Sequence, residues 1–179
     1  LDLENGPYTN RSYSFFDKSI LFGEQIIAPL LNHKNIVKTI ESVETPKAIF
    51  QFMELCSDGN LLDILCDPEE STSYEQRLVY LGQIIDAIYY LHHHYICHRD
   101  LKLENILIQN GVVKLCDFGF AALCAGDSAR QTVTGKCGSV EYVAPEVMTE
   151  NSYDGCAADM WSLGILIYKM FLSDPEEIE

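Results

Sequence analysis

The chain has 179 residues, of which 27 are acidic and 12 are basic, so its formal net charge is −15. This charge argues against nucleic acid backbones and anionic membrane surfaces as partners, because both attract clustered Lys and Arg. Hydrophobic residues make up 47 % of the chain and charged residues 22 %, which is the composition of a globular protein that buries a core. A basic peptide is the kind of partner that suits this charge.

The cysteines and the apolar stretches indicate the cellular compartment in which we expect this protein. Its seven cysteines are an odd number without a C-x-x-C pair, and no signal peptide is recognised. We therefore expect free thiols in a reducing, intracellular compartment, cytoplasmic or nuclear. The longest strongly apolar stretch, residues 161–172, contains Lys169 and is too short to cross a bilayer. It predicts a buried helix and no membrane partner.

The first part of the chain predicts an unassigned leader, a helix and a hairpin. Residues 1–15 show no apolar period. Apolar spacing over 16–31 predicts a helix, which Pro29 should bend or end because proline lacks the backbone N–H. The runs 36–43 and 48–53 are rich in β-branched residues and flank a short turn, so they predict a β-hairpin.

The middle of the chain predicts a long helix followed by a tight hairpin. Thr72 and Glu75 have the capping-box spacing of a helix start, and the apolar residues that follow recur on one face. That face consists of Leu78, Leu81, Ile84, Ile85, Ile88 and Leu91. Asn110-Gly111 lies between the apolar runs 105–108 and 112–116, which is a strong signal for a two-residue hairpin turn.

A last helix is predicted over residues 157–171, in which Trp161 is expected to serve packing. The histidine run 92–94 ends the long helix. Because consecutive side chains on a helix point in different directions, we interpret this run as packing and solvent-exposed residues rather than metal ligands.

Three short motifs follow one another in the second half of the chain. Residues 98–105 read H-R-D-L-K-L-E-N, residues 117–119 read D-F-G, and residues 144–146 read A-P-E. In this order and spacing they resemble the catalytic loop, the metal-binding segment and the end of the activation segment of the eukaryotic protein kinase family. Lys102, two residues after Asp100, resembles the serine/threonine branch.

The resemblance implies an α+β fold of two lobes that is incomplete at both ends. It divides the chain into a partial N-lobe at 16–53, a hinge at 54–60 and a partial C-lobe at 61–179. The segments 137–139 and 152–155 are most similar to the calmodulin-dependent and energy-sensing kinase group.

The reaction that the resemblance implies is transfer of the γ-phosphate of ATP to a Ser or Thr hydroxyl of a protein substrate. Such a transfer needs an aimed nucleophile, a held triphosphate and Mg²⁺ to neutralise charge. Asp100 would accept the hydroxyl proton, and Lys102 would contact the transferred phosphate. Asn105 and Asp117 would hold Mg²⁺ through the oxygen ligands that this ion prefers. Residue by residue, the alternative is that these polar side chains only cap strands and turns.

The resemblance also implies a nucleotide pocket around the hinge. Met53 would be the gatekeeper, and backbone groups of Glu54 and Cys56 would bind adenine. The ribose and the pocket floor would be lined by Asn60, Glu104 and Leu107. Ordinary helix and hairpin packing is the alternative for all of these residues.

Further residues are implied in shaping the catalytic loop and its neighbours. Ser139 would bond the two charged side chains of the loop, and Asp159 would anchor the loop. Arg99 would pair with a phosphate that an upstream kinase places on Thr132 or Thr134, because phosphate and guanidinium form charge-assisted hydrogen bonds.

Two features depart from the family pattern. Glu24 fits the glutamate that pairs with a lysine of the third strand, yet residues 1–23 contain neither that strand nor a glycine-rich loop. Glu146 lacks the late arginine with which it would pair, and an unpaired buried carboxylate is destabilising. We therefore expect little or no kinase activity from these 179 residues alone. The alternative interpretation is a truncated or degenerate kinase that acts as a docking module.

Substrate preference is only partly implied. The acidic chain and Glu104 favour a basic residue upstream of the target hydroxyl, by charge complementarity. Asn60 and Lys169, however, stand where related kinases with basic substrates carry acids, which argues against strong arginine selection. A small-molecule phosphotransferase is a weaker alternative, because it has no use for the peptide-binding segment at 144–146.

Overall fold

The fold is known from a computed structural model that describes residues 22–45, 48–67, 72–124 and 132–171. In this part of the chain, two long helices accompany a series of two-stranded antiparallel sheets. None of the described helices is both long and apolar enough to cross a membrane. The predicted leader and the start of the helix predicted over 16–31 lie outside the described residues.

The first described element is a short helical segment that ends after a proline. A π-helix, Gly23–Ile27, continues into a 3-10 turn, Ala28–Leu30, after which the chain is extended. Pro29 removes a backbone donor inside this turn, so the predicted end of the helix is confirmed. Gly23 lies so close to the Phe118 carbonyl that a Cβ here would collide with it. Glycine is what allows these two backbones to meet.

The hairpin predicted after this segment is confirmed. β1, Thr39–Glu44, pairs with β2, Ile49–Met53, in an antiparallel sheet. Thr45 closes the turn with two 2.8 Å hydrogen bonds, one from its N–H and one from its hydroxyl. The Val37 N–H donates to the Leu115 carbonyl at 2.9 Å, which ties the approach to β1 to the strand that contains Leu115.

The long helix α2, Tyr74–His93, is present, but its cap is not the predicted one. Ser73 is the N-cap, and its hydroxyl accepts the Gln76 N–H at 3.1 Å. The predicted box of Thr72 and Glu75 is therefore wrong. The two adjacent hydroxyl residues offer the same S/T-x-x-E/Q spacing one position apart, so the pattern alone does not choose between them.

The buried face of α2 also differs from the predicted apolar stripe. Leu78 and Ile85 are 47 % and 45 % exposed, so their assignment to the core face is wrong. The residues that α2 buries are Tyr80, Ile84, Ala87, Ile88 and Leu91. Tyrosine and alanine occupy core positions here, and neither stands out in a search for branched apolar residues.

The second predicted hairpin is confirmed as β4, Ile106–Gln109, and β5, Val112–Leu115. Asn110 and Gly111 both have positive φ, 52° and 72°, as a two-residue type I′ turn requires. The buried side chains of this hairpin belong to the main core together with those of α2. The hairpin thereby brings the residue before β4 and the residues after β5 close together.

The remaining short elements are α1 at Leu61–Cys66, β3 at Ile96–Cys97, β6 at Ala122–Leu123, β7 at Thr132–Thr134, α3 at Pro145–Thr149 and β8 at Ser152–Asp154. β3 pairs with β6, and β7 pairs with β8, both antiparallel. Apolar side chains around these two sheets form a second buried cluster. It contains Cys97, Cys124, Val133, Ala144, Val147, Tyr153 and Ala158.

The last helix, α4, is Gly155–Phe171 and begins directly after β8 rather than at residue 157. It buries Leu163, Leu166 and Met170 in the main core. Trp161 is 49 % exposed. It therefore does not pack, as predicted, in the core that the described residues form. The predicted buried helix is buried on one face. The division into lobes and a hinge stays a prediction.

Replacing Ser73 by Ala should lower the free energy of unfolding by about 1 kcal/mol, because the Gln76 N–H loses its acceptor at the start of α2. Thr72→Ala is the matched control and should lower it by less than about 0.5 kcal/mol. Urea unfolding followed by circular dichroism measures both. A larger loss for Thr72→Ala would show that the helix is capped where the sequence pattern predicts.

Candidate active site

The loop at residues 98–105 is held by one buried carboxylate. Asp159 of α4 is 1 % exposed, and its two oxygens accept the N–H groups of His98 and Arg99, both at 2.8 Å. Arg99 has a φ of 70°, a left-handed conformation that is unfavourable for a residue with a Cβ. The charge-assisted bonds to Asp159 hold this turn in place.

A third contact to the same carboxylate comes from a residue outside the three sequence motifs. His92 Nε2 lies 2.9 Å from Asp159 Oδ2, whereas His93 and His94 are exposed as predicted. His92 follows the buried Ile88 by four positions and therefore lies on the same face of α2. That spacing is the signal that could have identified it.

Four polar side chains meet where this loop faces the segment after β7. Asp100 Oδ1 accepts the N–H and the hydroxyl of Ser139, both at 2.9 Å. Asp100 Oδ2 lies 3.0 Å from Lys102 Nζ and 3.3 Å from Asn105 Nδ2. Lys102 Nζ also donates to Ser139 Oγ at 3.0 Å. The structure thus brings together four of the residues that the motifs predict.

This network determines the charges of its two ionisable members. Burial raises the pKa of Asp100, but hydrogen bonds from Lys102 and Ser139 outweigh burial and hold that pKa below its usual value. Burial lowers the pKa of Lys102, but the bond to Asp100 and the charges of Glu104 and Asp117 raise it above its usual value. At neutral pH the carboxylate is therefore ionised and the amine is protonated.

Asn105 and Asp117 offer oxygen atoms of the kind that Mg²⁺ prefers. Asn105 Nδ2 donates to the Asp100 carbonyl at 2.8 Å, so its Oδ1 is left as an acceptor. Asp117 is exposed, has a φ of 62°, and accepts the Gly119 N–H at 3.3 Å. Among the described residues, no group of three or more His, Cys, Asp or Glu side chains could hold a metal. The donors fit a Mg²⁺ site completed by phosphate oxygens and water.

The predicted hinge lies beside β1 and β5. The Glu54 N–H donates to the Lys38 carbonyl at 3.0 Å, and its carboxylate accepts Lys114 Nζ at 2.9 and 3.1 Å. The N–H and the side chain of Glu54 are thus both bonded within the protein. Met53 is 48 % exposed. Burial raises the pKa of the half-buried Cys56 thiol.

The three residues predicted to line the ribose and the pocket floor have different surroundings. Asn60 caps α1, since its Oδ1 accepts the Asp63 N–H at 2.9 Å and its Nδ2 donates to the Asp63 carboxylate at 2.7 Å. This use of both polar groups agrees with the packing alternative for Asn60. Leu107 is half-buried and forms a β-bridge with Asn60. Glu104 is exposed in a 3-10 turn, Leu103–Asn105.

The side chain of Arg99 contacts backbone carbonyls of the segment that carries Thr132 and Thr134. Its Nη2 donates to the carbonyls of Thr134 and Gly135 at 2.8 and 2.6 Å. Its Nε donates at 2.9 Å to the hydroxyl of Tyr153, a residue that the sequence does not single out. The guanidinium is therefore near the predicted phosphate acceptors, with neutral oxygens as its present partners. Phosphorylation of this segment stays a prediction.

Glu146 is half-buried in the first turn of α3. The two arginines among the described residues bond elsewhere. Arg77 donates to the carbonyls of Thr72 and Met170 at 3.2 and 2.7 Å, and Arg99 binds the segment after β7. The described residues thus supply no arginine for Glu146, whose place near a helix N-terminus is electrostatically favourable.

Glu24 forms no ion pair with any of the described residues. Gln51 Nε2 instead donates to the Glu24 backbone carbonyl at 2.9 Å. Burial raises the pKa of the Glu24 carboxyl group, and the neighbouring Asp117 carboxylate raises it further, against the lowering effect of the Gln51 side chain and the backbone of Phe118 and Gly119. The acid is therefore easier to bury in its protonated form.

Replacing Glu24 by Gln should stabilise the protein increasingly as the pH rises from 4 to 7. A carboxyl group with a raised pKa contributes its stability below the unfolded-state pKa and loses it as the pH rises through the folded-state pKa. The Glu24→Gln variant has no carboxyl group at this position, so it does not lose this stability as the pH rises. Urea unfolding at several pH values measures the difference between the variant and the wild type.

The control for this prediction is Glu41→Gln, which removes the same charge from an exposed position of β1. Its effect accounts for the general relief of negative charge. A Glu24→Gln variant that follows the Glu41→Gln variant at every pH would contradict the special environment of Glu24.

Comparisons with known proteins agree with these motifs. The family model described as protein kinase domain matches residues 10–176. SNF-related serine/threonine-protein kinases of Rattus norvegicus and Homo sapiens are 35 % identical over 157 residues, which is 87 % of this chain and 21 % and 20 % of theirs. Serine/threonine-protein kinase SAPK4 of Oryza sativa subsp. japonica is 37 % identical over 145 residues, which is 79 % of this chain and 39 % of its own. The chain thus spans well under half of each relative.

These matches confirm the predicted serine/threonine branch and the α+β kinase fold. Proteins of this family generally use ATP and Mg²⁺ and act on Ser or Thr of protein substrates. The chain belongs to the protein kinase domain family, in its serine/threonine branch.

Proposed function

We propose that this chain carries the phosphoryl-transfer site of a protein kinase that moves the γ-phosphate of ATP to Ser or Thr hydroxyls. The observation that carries the proposal is the network at the loop 98–105. There the Asp100 carboxylate lies 3.0 Å from the Lys102 ammonium and 3.3 Å from the Asn105 amide. Such a positioned set is what phosphoryl transfer requires of the protein.

Asp100 is the group that aims the attacking hydroxyl. Its carboxylate is ionised at neutral pH, because Lys102 and Ser139 hold its pKa down, so it is an acceptor for the hydroxyl proton. Lys102 bridges Asp100 and Ser139 at 3.0 Å. It places a positive charge where negative charge accumulates on the transferred group.

Asn105 and Asp117 are the residues that would hold Mg²⁺ with the nucleotide. When bound, Mg²⁺ neutralises phosphate charge. The side chain of Asp117 stands at the exposed end of the hairpin β4–β5, where it can be reached from solution. The backbone at 54–56 is the proposed adenine contact, and its position is supported by the bonds that tie Glu54 to Lys38 and Lys114.

The proposed substrate is a protein with Ser or Thr and a basic residue nearby, which is supported by the net charge of −15 and the exposed Glu104. Lys169 adds no free positive charge against such a substrate, because its Nζ pairs with Glu141 Oε2 at 2.6 Å. An upstream kinase acting on Thr132 or Thr134 is part of this proposal. So is an intracellular, cytoplasmic or nuclear, location, supported by the odd number of cysteines.

A docking module without turnover is the second candidate. The surroundings of Glu24 favour it, because no lysine of the described residues forms an ion pair with this carboxylate. A kinase uses that lysine to hold the α- and β-phosphates. For the same reason we expect phosphoryl transfer by this chain to be slow.

The test compares transfer of ³²P from labelled ATP to a mixed Ser/Thr peptide library. Asp100→Asn should lower the transfer rate at least about 100-fold, since it removes the proton acceptor. Asp86→Asn is the control, because it removes a carboxylate from an exposed ion pair with Lys34. Transfer that survives Asp100→Asn would contradict the proposed site.

A binding measurement separates the two candidates. The thermal shift caused by ATP should depend on Mg²⁺ in the wild type, and Asp117→Asn should remove that dependence. Mg²⁺-dependent binding without any transfer that needs Asp100 would favour the docking module. A wild type that shows neither Mg²⁺-dependent ATP binding nor transfer would contradict the proposed phosphoryl-transfer site.

A further inference from the structure

Three thiols lie together in the smaller buried cluster, outside the phosphoryl-transfer site. Cys97 ends β3, Cys124 follows β6, and Cys156 is in the first turn of α4. The sulfur atoms of Cys124 and Cys156 are 3.6 Å apart, although the residues are 32 positions apart in sequence. Cys97 and Cys124 belong to this cluster, and Cys156 packs against it. Cys124 and Cys156 are the pair whose sulfur atoms are in contact.

The arrangement points to redox chemistry rather than to a metal. Among the described residues, no group of three or more His, Cys, Asp or Glu side chains is arranged to hold a metal ion. A disulfide needs sulfur atoms about 2.05 Å apart, so Cys124 and Cys156 must approach each other by about 1.5 Å. Cys97 instead donates to the Ala122 carbonyl at 3.4 Å and is fully buried.

The surroundings give the two sulfur atoms different reactivities. The hydrogen bond with the Cys156 thiol lowers the pKa of Cys124, more than burial raises it. The same bond to Cys124, together with burial, raises the pKa of Cys156. Because the thiolate is the nucleophile, Cys124 is the sulfur that reacts first. Cys124 is 7 % exposed, and the half-buried Cys156 lies beside it.

We propose that Cys124 and Cys156 form a reversible disulfide when a peroxide reaches the protein. The Cys124 sulfur attacks one oxygen of hydrogen peroxide, so that an S–O bond forms, the O–O bond breaks and one water leaves. The Cys156 sulfur then displaces the hydroxyl from the Cys124 sulfenic acid, and its proton leaves with that hydroxyl as a second water. Two thiols and one peroxide thus give one disulfide and two waters. A dithiol reductant reverses the step by thiol–disulfide exchange.

The disulfide would connect two segments that adjoin the proposed phosphoryl-transfer site. Cys124 lies a few residues after Gly119, and Cys156 lies one helical turn before Asp159, which anchors the catalytic loop. The closed loop contains Ser139, the partner of Asp100. Closing a loop of this length restricts the unfolded chain, so the oxidised protein should melt about 5 °C higher than the reduced protein.

The test is disulfide mapping of the folded 179-residue chain after exposure to a few equivalents of hydrogen peroxide. The intact mass should fall by two hydrogen atoms per chain, and peptide mass spectrometry should find Cys124 linked to Cys156. This link should exceed any other pair by about tenfold, because the fold supplies the high effective concentration. In urea that preference should disappear, and dithiothreitol should restore the original mass.

Variants test which thiols are needed. Cys124→Ser and Cys156→Ser should each abolish the mass loss, whereas Cys137→Ser, the matched control, should leave it unchanged. The mapping of the wild type remains decisive if a variant fails to fold. Preferential linkage of Cys97 to Cys124, linkage only between chains, or the same mixture of pairs with and without urea would each overturn the proposal.

Discussion

The buried carboxylate of Asp159 is the constraint on which the rest of the site depends. It accepts two peptide N–H groups of the loop 98–105 at 2.8 Å and contacts His92 at 2.9 Å. Without it, the N–H groups of His98 and Arg99 would be left without these acceptors, and unpaired buried donors are costly. Asp159 is carried by α4, whose position is set by the apolar side chains that it buries. Packing in the main core thus determines where Asp100 points.

The features that could be predicted from sequence are those with a local cause. The turn at Asn110-Gly111 needs two residues with positive φ, and both residue types tolerate that conformation. The end of the first helical segment follows from the missing N–H of Pro29. The loop 98–105 and the segment 117–119 could be recognised because their chemistry requires particular residues at fixed spacing. In the structure, the polar side chains of this loop do meet around Asp100.

The features that could not be predicted depend on contacts between distant residues. Glu54 and Lys114 are 60 positions apart, and no local pattern announces their pairing. The same holds for Arg99 and Tyr153, which are 54 positions apart. The outward orientation of Leu78 is decided by which side of α2 the main core covers, and that is a matter of tertiary packing rather than of helical propensity. The tertiary contacts of the fold therefore supply what the helical period leaves open.

The contact between Gly23 and the Phe118 carbonyl has a consequence for how motion passes through the molecule. Because no side chain separates these two backbones, a displacement of Phe118 toward the first helical segment must push that segment. Glu24 moves with it, and so does its bond to Gln51 of β2. Asp117, next to Phe118, is thereby connected to the hairpin β1–β2 by one close backbone contact and one hydrogen bond. Neither link is an ion pair, so salt does not screen them as it screens ion pairs.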